Sequence, residues 1–261
     1  MAPDHLALKM TDLAEKFRGD HHLEGLVVAF PDRRGGVSDP PFDTLNLGFS
    51  TGDDPQAVIE NRQRLADAVS VPSERVIVPG QVHGNSVLIA EESMAGKGFR
   101  QPGEIPGGHD VVFLGEPGLF ALSLTADCPL VTLVDPLKRR VGIAHCGWRG
   151  TVAGALGELL AHMGDPKNLL GMISPGIRGP RYPVGPEVLE AVSALPGASE
   201  AVVAGTLDLA TILLKTLQQA GLGDSQLHLD RRCSHADSLL FSHRRDQGRS
   251  GRGGCLVGWK F

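Results

Sequence analysis

The chain has 261 residues, of which 41% are hydrophobic, and a formal net charge of −5. This composition is typical of a soluble globular protein with a sizeable core and argues against a nucleic-acid-binding protein, which usually presents a basic face. No segment approaches the ~20 apolar residues that span a membrane. The charges scattered through residues 1–17 are unlike a secretory signal, so we expect a cytoplasmic protein with free or ligating cysteines rather than disulfides.

The predicted elements alternate between short strands and helices along the chain. Apolar periodicity predicts helices at 57–69, 151–164 and 208–221, the last with Asp208 as N-cap and ending at Gly221. Turn residues bound ten predicted strands, at 23–30, 75–82, 110–114, 120–126, 130–135, 140–145, 169–174, 201–205, 226–230 and 254–259. The block 110–145 is predicted as consecutive strands with tight turns and no intervening helix, which indicates antiparallel or mixed pairing. We predict one domain over 1–261, with 1–22 as a candidate helical extension.

Three of the predicted strands end in chemically active side chains. His83 follows the strand 75–82, Asp127 and Cys128 follow 120–126, and His145 ends 140–145. Functional residues concentrate where a rigid strand delivers a side chain to a loop. If these strand ends lie side by side, two imidazoles and one thiol converge at a single position.

Such a set of donors suits zinc, which accepts histidine nitrogen and cysteine sulfur in a tetrahedral arrangement. Three protein ligands would leave one position open, as in a catalytic site. Each residue taken singly is also typical of a packed position, so spacing alone leaves both interpretations open. Cys146 should point away from His145, because neighbouring residues of a strand face opposite sides, and we predict a buried thiol there.

The same residues belong to a longer pattern of seven blocks in fixed order. The blocks are RGGVSDPPFDTLNLGFSTGDDPQAVIENRQRL (34–65), QVHG (81–84), TADCPLVTLVDP (125–136), HCGWRGTVAG (145–154), SPGIRGPRYPVGPEV (174–188), LDL (207–209) and FSHRRDQGRSGR (241–252). Over nearly the whole chain they resemble the YfiH-like proteins, also called the laccase-domain or multicopper polyphenol oxidase family.

The resemblance implies an α+β fold, a four-layer αββα sandwich with mixed β-sheets. It also implies a zinc site formed by His83, Cys128 and His145. Members of the family look like purine nucleoside enzymes that phosphorolyse adenosine, guanosine, inosine and methylthioadenosine and deaminate adenosine. The expected partners are therefore purine nucleosides and phosphate, for a monomer or weak homodimer that binds neither nucleic acid nor a membrane.

Further candidate residues surround the three ligands. Arg149 offers a planar cation for phosphate, and Asp127 offers a carboxylate for proton transfer or for orienting a histidine. A structural ion pair is an equally good interpretation of Arg149. The candidates for substrate binding are Arg34, Ser38, Asn46, Gln81 and Tyr182, each of which could instead support a turn or hydrogen-bonded scaffold.

Three other function classes remain open from the sequence. A metal-free cysteine hydrolase would use Cys128 as nucleophile, His83 or His145 as base and Asp127 as orienting group. A copper-dependent polyphenol oxidase ranks lower, because multicopper sites need many histidines and the chain has ten with no His-x-His pair. A non-enzymatic binding protein is disfavoured, because binding alone does not explain a site with three metal ligands and one open coordination position.

Overall fold

The computed structural model describes residues 10–12 and 23–261. The strands are β1 Met10–Asp12, β2 Leu26–Pro31, β3 Val76–Ile77, β4 Val87–Ile89, β5 Val111–Leu114, β6 Phe120–Thr125, β7 Leu130–Asp135, β8 Arg140–His145, β9 Leu170–Ile173, β10 Val202–Val203, β11 Thr206–Leu207, β12 Leu227–Leu229 and β13 Gly253–Trp259. The helices are α1 Pro55–Ala68, α2 Trp148–Val152, α3 Ala155–Met163, α4 Pro186–Val192, α5 Ala198–Ala201 and α6 Leu209–Gln219. The helical extension predicted for 1–22 is wrong at 10–12, which form β1, and otherwise lies outside the described residues.

Two mixed sheets form the framework, as the sequence predicts. The first has the order β1-β2-β13-β6-β3 and is antiparallel except for the parallel pair β3 and β6. The second has the order β12-β9-β7-β8-β5-β4, with parallel pairs at both edges and antiparallel strands between them. Strands β10 and β11 form a separate antiparallel pair.

The two sheets pack face to face, with α1 on the outer face of the first sheet and α3 and α6 on the outer face of the second. Along β13, Val257 joins the core between the sheets, whereas its neighbour Leu256 joins the cluster that contains Leu65 of α1. On the other side, α3 and α6 pack against the second sheet through Leu159 and Leu213. The four-layer αββα arrangement is therefore confirmed, and both faces of each sheet are buried, which explains the nearly continuous apolar runs of the central strands.

The close approach of α3 to β8 depends on a glycine. A Cβ at Gly142 would lie 2.4 Å from Leu159 Cδ1 and 3.0 Å from Val112 O, so a larger residue would force the Leu159 side chain to move and would crowd the neighbouring strand. The approach fixes the end of β8, which carries His145. No helix within the described parts of the chain has the length and apolar character to cross a bilayer.

Several predicted boundaries are wrong. The helix predicted at 151–164 is two helices, because Gly154 has a φ of 87° and interrupts it between α2 and α3. The strand predicted at 75–82 is only Val76–Ile77, since the following residues bond to loops: Val78 N–H donates to Lys97 O. The strand predicted at 201–205 is reduced to β10 because α5 occupies the preceding residues. Strands β1, β4 and β11 and helices α4 and α5 were not predicted.

Candidate active site

The three strand-end residues meet at one end of the space between the sheets. His83 lies in the loop after β3, Cys128 in the turn between β6 and β7, and His145 at the end of β8. Their ligand atoms all lie within 4.8 Å of one another, and the two imidazole rings are 4.9 Å apart between centroids, in an edge-to-face arrangement. The convergence expected from the sequence is therefore present.

A buried carboxylate that the sequence did not single out positions both histidines. Asp110 precedes β5 and is only 2% exposed. Its Oδ1 lies 2.8 Å from His145 Nδ1 and also accepts the backbone N–H of His83. Its Oδ2 accepts the N–H groups of Val82 and Gly84. The available signal was an aspartate at the start of an apolar strand, where a buried carboxylate needs several partners.

The electrostatics favour a thiolate beside an imidazolium in the metal-free protein. Burial disfavours the charged form of Cys128, but the neighbouring His145 and His83 outweigh it and lower the pKa of the thiol to about 6. Burial likewise opposes the charge on His145, yet Cys128 and Asp110 raise its pKa to about 9. Cys146 faces the α3 side of the second sheet, and burial raises the pKa of its thiol well above the ordinary value. The prediction that Cys146 is a buried apolar thiol is confirmed.

The space around the three side chains is kept open by a glycine. A Cβ at Gly147 would lie 2.8 Å from Cys128 Sγ and 3.2 Å from His83 Cδ2. Two nitrogen donors and one thiolate, with Asp110 behind one imidazole, make a donor set that fits a transition-metal ion of the zinc type. His83, Cys128 and His145 could therefore hold a metal ion, and they are the one group of three such ligands among the described residues.

Asp127 faces away from these donors. Its Oδ1 accepts a hydrogen bond of 2.6 Å from Ser234 Oγ, and its Oδ2 accepts one of 2.7 Å from the N–H of Arg244. With a φ of 90°, the residue makes a tight turn directly before Cys128. The structure thus places Asp110, not Asp127, against a ligand histidine.

A cleft of about 570 Å³ opens onto the three residues. Four other predicted residues line it: Gln81, Asp127, Arg149 and Tyr182. The side-chain amide of Gln81 donates a hydrogen bond to Leu124 O and accepts one from the N–H of Leu124, which ties the loop before His83 to β6. Tyr182 makes no side-chain hydrogen bond among the described residues, and burial raises the pKa of its phenol to about 12.

Arg149 also lines the cleft without an ion pair to any described residue. Its guanidinium lies 4.3 Å from the centre of the Trp148 ring. It follows the N-cap Gly147 of α2, which begins at Trp148 rather than near Thr151 as the sequence suggested. The structural ion pair weighed for Arg149 is therefore absent within the part of the chain that is described.

Arg34, Ser38 and Asn46 are not among the residues that line the cleft. Arg34 pairs with Asp32, while Ser38 and Asn46 both bond to Asp53 Oδ2. Asn46 reaches the cleft wall indirectly, because its Oδ1 accepts the backbone N–H of Arg252.

The arginine-rich segment 241–252 was missed as part of the site, because its composition is also typical of a solvated loop. The segment packs against the site instead, and His243, Arg244 and Arg252 line the cleft. Arg244 lies 5.1 Å from the centre of the Tyr182 ring and donates to Pro183 O. The local density of arginine was the signal that could have identified it.

Comparisons with known proteins show which family the chain belongs to. A family model described as multi-copper polyphenol oxidoreductase laccase matches residues 27–260. Purine nucleoside phosphorylase YlmD of Bacillus subtilis is 32% identical over 247 residues, covering 90% of this chain and 89% of its own. Purine nucleoside phosphorylase YfiH of Escherichia coli is 37% identical over 231 residues, covering 86% and 90% respectively.

Solved structures give the same result for the fold. The crystal structure of YlmD from Geobacillus stearothermophilus has a TM-score of 0.83 with this chain at 32% identity, covering 91% of this chain and 93% of that one. The YfiH protein of Bacillus licheniformis has a TM-score of 0.84 at 28% identity, with coverage of 91% and 94%. The resemblance seen in the sequence is confirmed, and the chain belongs to the multi-copper polyphenol oxidoreductase laccase family, which includes the YfiH-like proteins.

Proposed function

We propose that this protein is a zinc-dependent purine nucleoside phosphorylase with adenosine deaminase activity. The observation that carries the proposal is the convergence of His83, Cys128 and His145 on a basic cleft large enough for a nucleoside. Relatives at 32–37% identity over most of the chain are named purine nucleoside phosphorylases, which supports the same reaction class. It would act on adenosine, guanosine, inosine and methylthioadenosine, in the cytoplasm, as a monomer or weak homodimer.

The donor set favours zinc over copper chemistry. Zinc held by His83, Cys128 and His145 would supply Lewis-acid character for an oxygen of phosphate, substrate or water. A multicopper oxidase needs several ligand groups rich in histidine, whereas the described residues contain one group of three. The oxidase named in the family description is therefore the weaker candidate for this chain.

Phosphorolysis forms a bond between a phosphate oxygen and C1′ of the ribose and breaks the bond from C1′ to the purine nitrogen. Arg149 and Arg244 flank the cleft near Trp148 and Tyr182 and would hold the phosphate against the sugar, since planar guanidinium groups match its oxygens. Tyr182 stays protonated at neutral pH and would donate a hydrogen bond to the departing purine or to the ribose.

The remaining predicted residues would act by positioning. Asp127 would fix the turn that presents Cys128, because both its oxygens are already bonded to Ser234 and Arg244. Gln81 would hold the His83 loop against β6. Arg34, Ser38 and Asn46 would support the wall behind the cleft, since none of them lines it.

A metal-free cysteine hydrolase is the second candidate. The thiolate of Cys128 beside His145, with Asp110 behind the imidazole, is the arrangement that activates a cysteine nucleophile. Loss of activity on chelation and its recovery with zinc would exclude this mechanism.

The test is incubation of metal-analysed protein with adenosine, with and without inorganic phosphate, while adenine, inosine and ribose 1-phosphate are resolved. We expect adenine and ribose 1-phosphate only when phosphate is present, and inosine in either case. Cys128→Ala should lose all three products, and Cys146→Ala, which changes a buried thiol outside the donor set, is the matched control. Wild-type turnover by Cys128→Ala would overturn the proposal.

A further inference from the structure

The cleft is basic although the chain as a whole is acidic. Four arginines line it, Arg62, Arg149, Arg244 and Arg252, whereas Asp127 is the one carboxylate among the described residues of its lining. Both oxygens of Asp127 accept hydrogen bonds, from Ser234 Oγ and from the backbone N–H of Arg244. None of the four takes part in an ion pair within the described residues. Arg149 and Arg244 lie on the part of the cleft wall formed by Trp148 and Tyr182, whose rings they contact. Arg62 and Arg252 have no part in the proposed reaction so far.

Arg62 is an unusual cation because it is only 2% exposed and forms no ion pair with any residue that the structure describes. Its Nε donates to Leu47 O, and its Nη1 donates to Gly98 O and Phe99 O. Its Nη2 has no hydrogen-bond partner among the described residues. Burial without a counter-ion lowers the pKa of the guanidinium to about 9, which is the direction expected when a charge loses its hydration.

Arg252 contacts the same short segment as Arg62, residues 46–49. Its backbone N–H donates to Asn46 Oδ1, its carbonyl accepts from the N–H of Leu47, and its Cγ lies 2.7 Å from the position that a Cβ at Gly48 would take. Its Nη1 donates only to the carbonyls of Ser250 and Gly251. Both arginines line the cleft, and within the described residues their guanidinium groups donate hydrogen bonds to backbone carbonyl oxygens alone.

Phe49 completes this wall. Its ring centre lies 4.4 Å from the guanidinium carbon of Arg62, and the ring lines the cleft. Contact with an aromatic face holds the guanidinium in a defined plane. A buried guanidinium held against an aromatic ring and a half-buried one beside it, neither in an ion pair within the described residues, suit a phosphoryl group, which accepts charge-assisted hydrogen bonds.

We propose that Arg62 and Arg252 form an oxyanion subsite in the cleft, separate from the donors His83, Cys128 and His145, that binds a phosphoryl group. The group could belong to the 5′-phosphate of a purine nucleotide or to free inorganic phosphate. The identity of the rest of the ligand rests on the proposed function, but occupation of the subsite does not depend on turnover.

The test measures binding of inorganic phosphate, adenosine 5′-monophosphate and adenosine to the metal-loaded protein by isothermal titration calorimetry. Arg252→Met removes the charge and keeps the bulk of the side chain. Arg139→Met is the matched control, because Arg139 also donates to a backbone carbonyl and lies over an aromatic ring but does not line the cleft. Losing a hydrogen bond to a charged group should weaken binding roughly 10- to 100-fold.

Either of two results supports the subsite and identifies the source. If Arg252→Met abolishes an advantage of the nucleotide over adenosine, the group is the 5′-phosphate. If Arg252→Met weakens the binding of inorganic phosphate, and the wild-type protein binds the nucleotide no better than adenosine, the group is free phosphate. Wild-type binding of both by Arg252→Met, or no binding of either by the wild type, overturns the proposal.

Two further measurements keep the test independent of folding and of the proposed reaction. If Arg252→Met melts early, Arg252→Lys and Arg62→Lys retain the charge but lose the fork, and each should still weaken binding several-fold. Phosphorolysis is assayed on the same samples. If the wild-type protein binds the phosphoryl ligands but does not turn over adenosine, the proposed phosphorylase is rejected and the subsite stands. If Arg252→Met changes neither the phosphate dependence of turnover nor the binding of the phosphoryl ligands, the subsite alone is rejected.

Discussion

Asp110 Oδ1 lies 2.8 Å from His145 Nδ1 while the same carboxylate accepts the backbone N–H of His83. One side chain therefore sets the orientation of an imidazole on β8 and the loop that carries a second imidazole. Because the Nδ1 of His145 is held by Asp110, its Nε2 is the nitrogen directed toward Cys128 and available to a metal ion.

We expect Asp110→Asn to weaken zinc binding by about 10- to 100-fold, the usual effect of losing a carboxylate behind a ligand histidine. The measurement is competition with a coloured chelator. Asp135→Asn is the control, since Asp135 is an equally buried carboxylate that accepts the N–H groups of Leu137 and Lys138 far from the cleft. Equal zinc affinity in Asp110→Asn and wild type would show that Asp110 has only a structural role.

Gly147→Ala should exclude the metal without disturbing the backbone. Gly147 has a φ of −61°, which alanine adopts freely, but the added methyl carbon would lie 2.8 Å from Cys128 Sγ. We expect the zinc content per chain to fall well below one by elemental analysis. In the control Gly157→Ala, a methyl meets nothing within 4 Å on α3 and should stabilise the helix by about 0.8–1 kcal/mol. Full zinc occupancy in Gly147→Ala would place the metal elsewhere.

In the metal-free protein, Cys128 should react as a thiolate at unusually low pH. Its pKa of about 6 means that the reactive form increases between pH 5 and 7, whereas an ordinary cysteine needs pH above 8. Alkylation by iodoacetamide, located by peptide mass spectrometry, should follow this profile. His145→Gln removes the neighbouring cation and should shift the pH profile of alkylation to higher pH.

Cys146 and Cys255 provide the internal comparison for this measurement. Both are buried, and burial raises the pKa of the Cys255 thiol to about 12, so neither should react at neutral pH in the folded protein. Zinc should protect Cys128. If the alkylation rate of Cys128 rises only above pH 8, both in the wild type and in His145→Gln, the result would contradict an ion pair between the Cys128 thiolate and the His145 imidazolium.

The convergence of His83, Cys128 and His145 could be predicted because each was placed at the end of a predicted strand, whereas their role as a ligand set came from the family resemblance and not from spacing. Asp110 could not be assigned in the same way, since its role depends on a contact with His145 35 residues away. Arg62 illustrates the same limit: within α1 it reads as part of a helix surface, and only the tertiary fold buries it against Leu47, Gly98 and Phe99.

Local pattern also fails where a backbone angle overrides helix propensity. The segment 151–164 has helical apolar spacing throughout, and nothing in that spacing distinguishes Gly154 from Gly157. The structure separates them by conformation: Gly154 has a φ of 87° between α2 and α3, whereas Gly157 lies within α3. The break directs the short helix α2, and therefore Trp148 and Arg149, toward the cleft.

Gly154→Ala and Gly157→Ala should therefore have opposite effects on stability. Alanine at position 154 must adopt the left-handed conformation at a cost of about 1–2 kcal/mol, although no atom lies within 4 Å of its added carbon. For a domain of this size, we expect the melting temperature to fall by about 2–8 °C, measured by circular dichroism at equal zinc occupancy. Gly157→Ala should raise it. A more stable Gly154→Ala protein would mean that the chain can form the single continuous helix that its apolar spacing predicts, with Arg149 then displaced from the cleft.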